Sequence, residues 1–270
     1  MKTRILAAAV LLPLLLIVVL VLPKVCTAVL FGLMAAIAAY ELMQGTKLVT
    51  SSRLTVYAMV FAFLVPLWGF FGQMYVWALV GILTFVALLY MELLLSKGKL
   101  PYAHVATTFV AGILVPYLFT AIVRIFATEK GIYLIFIPFI LAMVSDTGAY
   151  FAGRFFGKHK LAPVVSPNKT VEGVIGGVIA TVLAMIIYCL IMQFGVGQQV
   201  NYLYAVIYGM AGAMAGVFGD LSFSAIKRQV GIKDYGNLIP GHGGILDRFD
   251  SMTLVAPLTE ALLLLIPVVK

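Results

Sequence analysis

The chain has 270 residues, 63% of them hydrophobic and only 10% charged, which leaves too little polar surface for a soluble domain of that length. A net charge of +8 would point to nucleic acid in a soluble protein; here the distribution of the basic residues reports membrane topology instead, and nucleic acid is not an expected partner. No charged tail, low-complexity segment or internal repeat breaks the pattern.

The amino terminus places Lys2 and Arg4 before an apolar run at about 5–22, as a signal peptide does. No small-residue cleavage site follows, and Pro23-Lys24-Val25 lacks the small residue expected before a lipidated Cys26, so the run reads as an uncleaved first span. A span needs about 20 mostly apolar residues. Nine stretches qualify: about 5–22, 25–43, 54–71, 75–95, 104–126, 131–151, 171–193, 203–223 and 251–269. The expected fold is all-α, a polytopic integral membrane helical bundle of about nine transmembrane helices. It forms a single membrane domain over 1–270, with N-terminal spans in 1–130 and the chemistry in 131–270. Cys26 and Cys189 lie in apolar runs without metal spacing and read as small buried hydrophobes.

With the N-terminus in the cytoplasm and the C-terminus outside, 14 of the 18 basic residues fall on the inside, leaving Lys24, Arg124, Lys130 and Lys270 outside. The two longest loops, about 152–170 and 224–250, then both face the cytoplasm.

Of the ten acids, Glu129 falls in an outside loop and Glu260 in mid-span. The other eight, Glu41, Glu92, Asp146, Glu172, Asp220, Asp234, Asp247 and Asp250, lie in the cytoplasmic half of a span or in an inside loop. A carboxylate inside a span costs a few kcal/mol unless it is paired, solvated or metal-bound. Asp220 follows Gly209, Gly212, Gly216 and Gly219, a face without side chains that reads as a helix-packing surface and would also allow a homodimer. The acid itself suits either a structural ion pair with a nearby Lys or a ligand role. Asp247 and Asp250, three apart, share a helical face where the last span begins. Helix capping accounts for one of them; hard oxygen ligands for Mg²⁺ account for both, and together with Asp220 they could support one ion or add a second cation.

Gly241-His242-Gly243-Gly244 can bring backbone N–H groups close to phosphate oxygens, although Gly236 and Gly241 are not followed by the Lys-Ser/Thr of a Walker A loop. A glycine turn and a loop histidine are ordinary features separately. Their combination with Lys227, Arg228, Lys233 and Arg248 within the 27 residues 224–250 points to a phosphate site. Earlier in the chain, Ser145-Asp146-Thr147-Gly148 ends a span, and Ser166-Pro167-Asn168-Lys169-Thr170-Val171-Glu172-Gly173 precedes the next. That second segment suits gripping a nucleotide and also reads as a helix start with Glu172 in its first turn. Lys158–Lys160 read as an interfacial basic loop attracted to lipid headgroups.

Ser224-Ala-Ile-Lys227-Arg228, then Lys233-Asp234, then Pro240-Gly-His242-Gly243-Gly244-Ile-Leu-Asp247-Arg248-Phe-Asp250 resembles the signature of the phosphatidate cytidylyltransferases, the CDP-diacylglycerol synthases. Ser145–Lys160 and Ser166–Gly173 also resemble that family; the first 130 residues do so only in hydropathy. The resemblance implies that CTP and phosphatidate give CDP-diacylglycerol and pyrophosphate, with Mg²⁺ as cofactor, in a cell membrane with the active site facing the cytoplasm. It implies metal ligation by Asp220, Asp247 and Asp250, with Asp146 a further candidate, and catalytic roles for Lys227 and Arg248. Ser166, Asn168, Lys169, Thr170, Glu172, Ser224, Arg228, Lys233, His242, Gly243 and Gly244 would bind substrate. Two alternatives share part of this pattern: a CTP-dependent membrane lipid kinase attacking the γ-phosphorus, and an ion-coupled transporter using Asp220 and Glu260.

Overall fold

A computed structural model of the chain describes residues 13, 16–68, 74–238 and 243–269. In chain order its main elements are α1 (Lys24–Gly45), α2 (Ser52–Trp68), α3 (Tyr75–Leu95), α4 (Tyr102–Ala127) and α5 (Gly131–Phe156). Strands β1 (Lys160–Ala162) and β2 (Ser166–Thr170) follow, then α6 (Val171–Gly195), α7 (Tyr202–Gln229), α8 (Ile245–Phe249) and α9 (Met252–Leu265).

Six of these helices, α1 and α3 to α7, are long and apolar enough to cross a membrane, while α2 and α9 are apolar but shorter. Eight of the nine expected spans therefore have a helical counterpart, six of them of spanning length, and the first, 5–22, lies mainly outside the described residues. α9 is short for a physical reason. Pro267 disfavours helical backbone at the residue before it, and Ile266 has left the helix at φ −140°, ψ 71°. The expectation of a wholly helical chain needs one correction, the antiparallel hairpin of β1 and β2 inside the 152–170 loop. Pro163 breaks the chain between the strands, and Pro167 is tolerated because a two-stranded ladder has free edges.

The described residues divide into two compact units. The first comprises those within Met1–Ile132 together with Gln229–Phe249. α1 to α4 pack around an aromatic core in which Phe31 meets Phe119 at 5.5 Å and Phe61 meets Phe85 of α3 at 4.6 Å between ring centroids. α8 joins this core through Phe249, whose ring lies edge-on to Phe119 at 5.1 Å. α1 ends in a widened, π-type turn over Glu41–Gly45, and α4 carries another at Val110–Leu114. In α4 the cause is Pro116, which has no N–H for the preceding turn.

The second unit comprises Tyr133–Arg228 with Asp250–Lys270. α5 and α6 lie side by side, and α9 packs on α5. Asn201 caps α7 by accepting the N–H groups of Leu203 and Tyr204 at 3.0 and 3.2 Å. The glycine face of α7 is spent on packing within this unit. Gly209 abuts Val182, Gly212 abuts Leu141, and Gly219 abuts the backbone of Asp250 and Ser251. The helix-packing role read for these glycines is therefore met within the unit.

Candidate active site

In the second unit, α5, β2 and α7 enclose a cavity of about 450 Å³. From α5 come Asp146, Tyr150 and Arg154, whose four-residue spacing sets them on one helix face. Asn168, Lys169 and Thr170 come from the end of β2, and Asp220 comes from α7. Arg154 donates to the Tyr150 hydroxyl at 2.9 Å. Lys169 forms an ion pair with Asp220 Oδ2, while Asp220 Oδ1 accepts from the Ser224 hydroxyl at 3.2 Å. The structural ion pair weighed for Asp220 is thus present, with Lys169 as the partner. The pair lies in the wall of a cavity large enough for part of a substrate.

Asp250, buried at the turn before α9, lies within electrostatic reach of Asp220, Lys227 and Asp146. Burial, reinforced by the Asp220 and Asp146 charges, pushes its carboxyl up to about 7, against the opposing pull of the Ser251 N–H and Lys227. Lys227 is buried, unusual for a lysine, one helical turn beyond Ser224.

The hairpin residues divide. Thr170 caps α6, accepting the Gly173 N–H at 3.1 Å. Glu172 accepts the N–H of Lys158 at 3.1 Å and pairs with His159 Nδ1 at 2.6 Å. Both side chains are engaged in the helix start. Ser166 is half-buried in the β1–β2 ladder, Asn168 is exposed at the cavity, and Arg228 donates from Nε to the Val165 carbonyl at 3.3 Å.

In the first unit, Asp247 is buried at the start of α8, and its Oδ2 accepts the N–H of Tyr235 at 2.8 Å and of Gly244 at 3.0 Å. Gly243 holds φ +81°, left-handed backbone that a side chain would strain. Lys233 and Arg248 are exposed, and His242 lies outside the described residues. Of the three acids expected to share a metal, Asp220 and Asp250 come together in the second unit, and Asp247 belongs to the first.

Among the described residues no three His, Cys, Asp or Glu side chains form a ready-made metal cage. The pair Asp220 and Asp250 fits a hard divalent cation of the Mg²⁺ kind, which takes one or two carboxylates and completes its shell with water and phosphate oxygens. Their mutual repulsion is what such a cation would relieve.

Three residues enter the description that were not among the expected site residues: Tyr150, Arg154 and Glu41. Arg154 carried a sequence signal, a basic residue four positions past Tyr150 in the Asp146 register. Glu41 carried a stronger one, a carboxylate inside an apolar run. It is 4% exposed and accepts the N–H of Ile245 at 3.0 Å and of Leu246 at 2.8 Å.

Residues 2–266 match the model of the Cytidylyltransferase family. The chain is 36% identical to the phosphatidate cytidylyltransferase of Staphylococcus saprophyticus over 183 residues, 67% of either chain. Over the same shares it is 38% identical to that of Staphylococcus haemolyticus and 37% to that of Staphylococcus aureus.

Proposed function

The chain belongs to the cytidylyltransferase family, and from that premise we propose that it transfers the cytidylyl group of CTP to phosphatidate, giving CDP-diacylglycerol and pyrophosphate for phospholipid synthesis. The observation that carries the reading to this chain's own residues is the Lys169–Asp220 pair in the wall of a cavity that also holds Asp146 and Arg154. A phosphatidate oxygen attacks the α-phosphorus of CTP, the new P–O bond forms, and the bond to the β-phosphate bridging oxygen breaks as pyrophosphate leaves. Two anions must approach each other, so the obstacle is charge repulsion, and fixed cationic groups lower it. The phosphatidate oxygen is already ionised, so no strong general base is needed.

Lys169 and Arg154 are positioned to meet phosphate oxygens at the cavity. When Lys169 turns to a phosphate, Asp220 is released from its ion pair, so substrate binding and carboxylate availability are linked. Ser224 holds the Asp220 carboxylate by its other oxygen throughout. Lys227 offsets the negative charge at Asp250. Asp220 and Asp250 would hold Mg²⁺, which when bound would neutralise triphosphate charge and polarise the reacting phosphoryl group. In the first unit, Lys233, Gly243, Gly244 and Arg248 form the proposed phosphate-facing set, with Asp247 organising their turn.

We place the N-terminus and both polar loops on the cytoplasmic side, supported by the distribution of Lys and Arg. The acyl chains then stay in the bilayer while CTP arrives from the cytoplasm. Mass spectrometry of purified protein incubated with CTP, phosphatidate and Mg²⁺ tests the reading. It predicts CDP-diacylglycerol and pyrophosphate in equal amounts, and an absence of both would refute it.

A further inference from the structure

We propose that Glu41 is a positioning residue for the reaction: from α1 it fixes the turn that carries Gly243, Gly244, Asp247 and Arg248. The inference rests on the cytidylyltransfer reading for the role of that turn, and on separate geometry for the role of Glu41.

Glu41 opens the widened turn that ends α1, and interruptions of this kind often mark functional places in helices. Its side chain is buried, and its two oxygens are used separately, Oε1 by the Ile245 N–H and Oε2 by the Leu246 N–H, 204 and 205 residues away. These N–H groups open α8, where no preceding turn supplies an acceptor. The carboxylate occupies a hollow that exists because residues 236 and 244 are glycines. A Cβ at Gly236 would stand 2.5 Å from Oε1, and one at Gly244 would also collide with the carboxylate. Gly45, at the far end of the same widened turn, packs against the Tyr235 carbonyl.

Asp247 ties the same segment from within, through the N–H groups of Tyr235 and Gly244. Among the described residues of 235–246, two carboxylates thus accept four N–H groups, and of the two, Asp247 was expected at the site. Glu41 is connected to neither end of the turn by sequence, so its effect on the turn is purely positional. It does not need to touch substrate. A capping role alone would stabilise α8 and leave kinetics untouched. A positioning role predicts lost turnover in protein that remains folded, because a misplacement of about 1 Å can cost about a hundredfold in rate.

The test uses Glu41→Gln, Gly236→Ala and the double variant, in full-length protein purified in detergent. In Glu41→Gln an amide nitrogen replaces one acceptor oxygen and faces a backbone donor. In Gly236→Ala the charge is kept and the added methyl displaces the carboxylate. The expected result is a fall in kcat of about tenfold or more for each single variant, read well below a melting temperature that the unsatisfied N–H groups lower by only a few degrees. The double variant should be no worse than the weaker single one, because both changes break the same contact. Near wild-type kcat in Glu41→Gln, or losses that multiply in the double variant, would overturn the proposal. If Glu41→Gln does not accumulate as folded protein, Gly236→Ala decides alone, with wild-type kcat refuting the role and a tenfold fall supporting it. Failure of the wild-type protein to make CDP-diacylglycerol would sink the functional reading and is seen separately from these ratios.

Discussion

Lys169, next to last in β2, and Asp220, in the final third of α7, are joined as an ion pair at the cavity wall, each about three-quarters buried at side-chain exposures of 23% and 26%. Partial burial makes such a pair costly to leave half-made, so each member needs a replacement partner when the other is engaged. An incoming phosphate supplies one for Lys169, and a cation supplies one for Asp220.

Lys169→Met should therefore leave Asp220 without its partner and remove a phosphate contact. The expected outcome is a KM for CTP raised about tenfold or more, since the loss of a hydrogen bond to a charged group is worth about 1.5–3 kcal/mol. Steady-state kinetics in mixed micelles measures it. An unchanged KM would remove Lys169 from the site.

Asp247→Asn should abolish turnover while the protein stays folded. The N–H groups of Tyr235 and Gly244 both go to one oxygen of Asp247, Oδ2, so the amide oxygen of Asn can accept these two while the negative charge is lost. We expect a fall of at least about a hundredfold in kcat, because a neutral amide holds the turn's N–H groups less tightly than a carboxylate and a shift of about 1 Å is enough for that loss, with the gel-filtration profile of the wild type. Wild-type activity would contradict it.

Asp250 gives a pH dependence whose sign follows from its buried position. Its carboxyl is raised from the usual 3.8 to about 7, by burial first and then by the Asp220 and Asp146 charges. Between those values the folded protein holds a proton that the unfolded chain has lost, so stability rises as pH falls from about 7 toward 4 and is lower above pH 7. The melting temperature with EDTA present should thus be higher at pH 6 than at pH 8, and Asp250→Asn should reduce the difference. A wild-type difference that Asp250→Asn leaves untouched would exclude this cause.

Glu260 sits in α9, half-buried and apart from the residues that line the cavity. Glu260→Gln should keep kcat within about threefold of wild type, in the range of a change remote from the reacting groups. A loss comparable to that of Asp247→Asn would instead favour coupling through the middle of the span.

Helix positions were legible from hydropathy because burial in lipid demands long apolar runs, and the runs at 75–95, 131–151 and 171–193 each coincide with a helix of spanning length. The hairpin at 160–170 was not, because its two short strands carry no clear alternation and are fixed by Pro163 and by Glu172 holding Lys158 and His159. Asp220 was legible as an acid submerged after a glycine face. Its partner Lys169 was foreseen only as a phosphate contact, since the pairing depends on where β2 meets α7. Glu41 shows the same limit more sharply. A buried acid is visible in the sequence, but an acceptor for N–H groups 204 residues onward is visible only once the chain has folded.

The most direct measurement supplies purified protein with phosphatidate, Mg²⁺ and CTP carrying label at either the α- or the γ-phosphorus. Cytidylyl transfer predicts α-label in the lipid and γ-label in released pyrophosphate. Recovery of γ-label in the lipid would mean that the terminal phosphate is transferred, and would contradict the account.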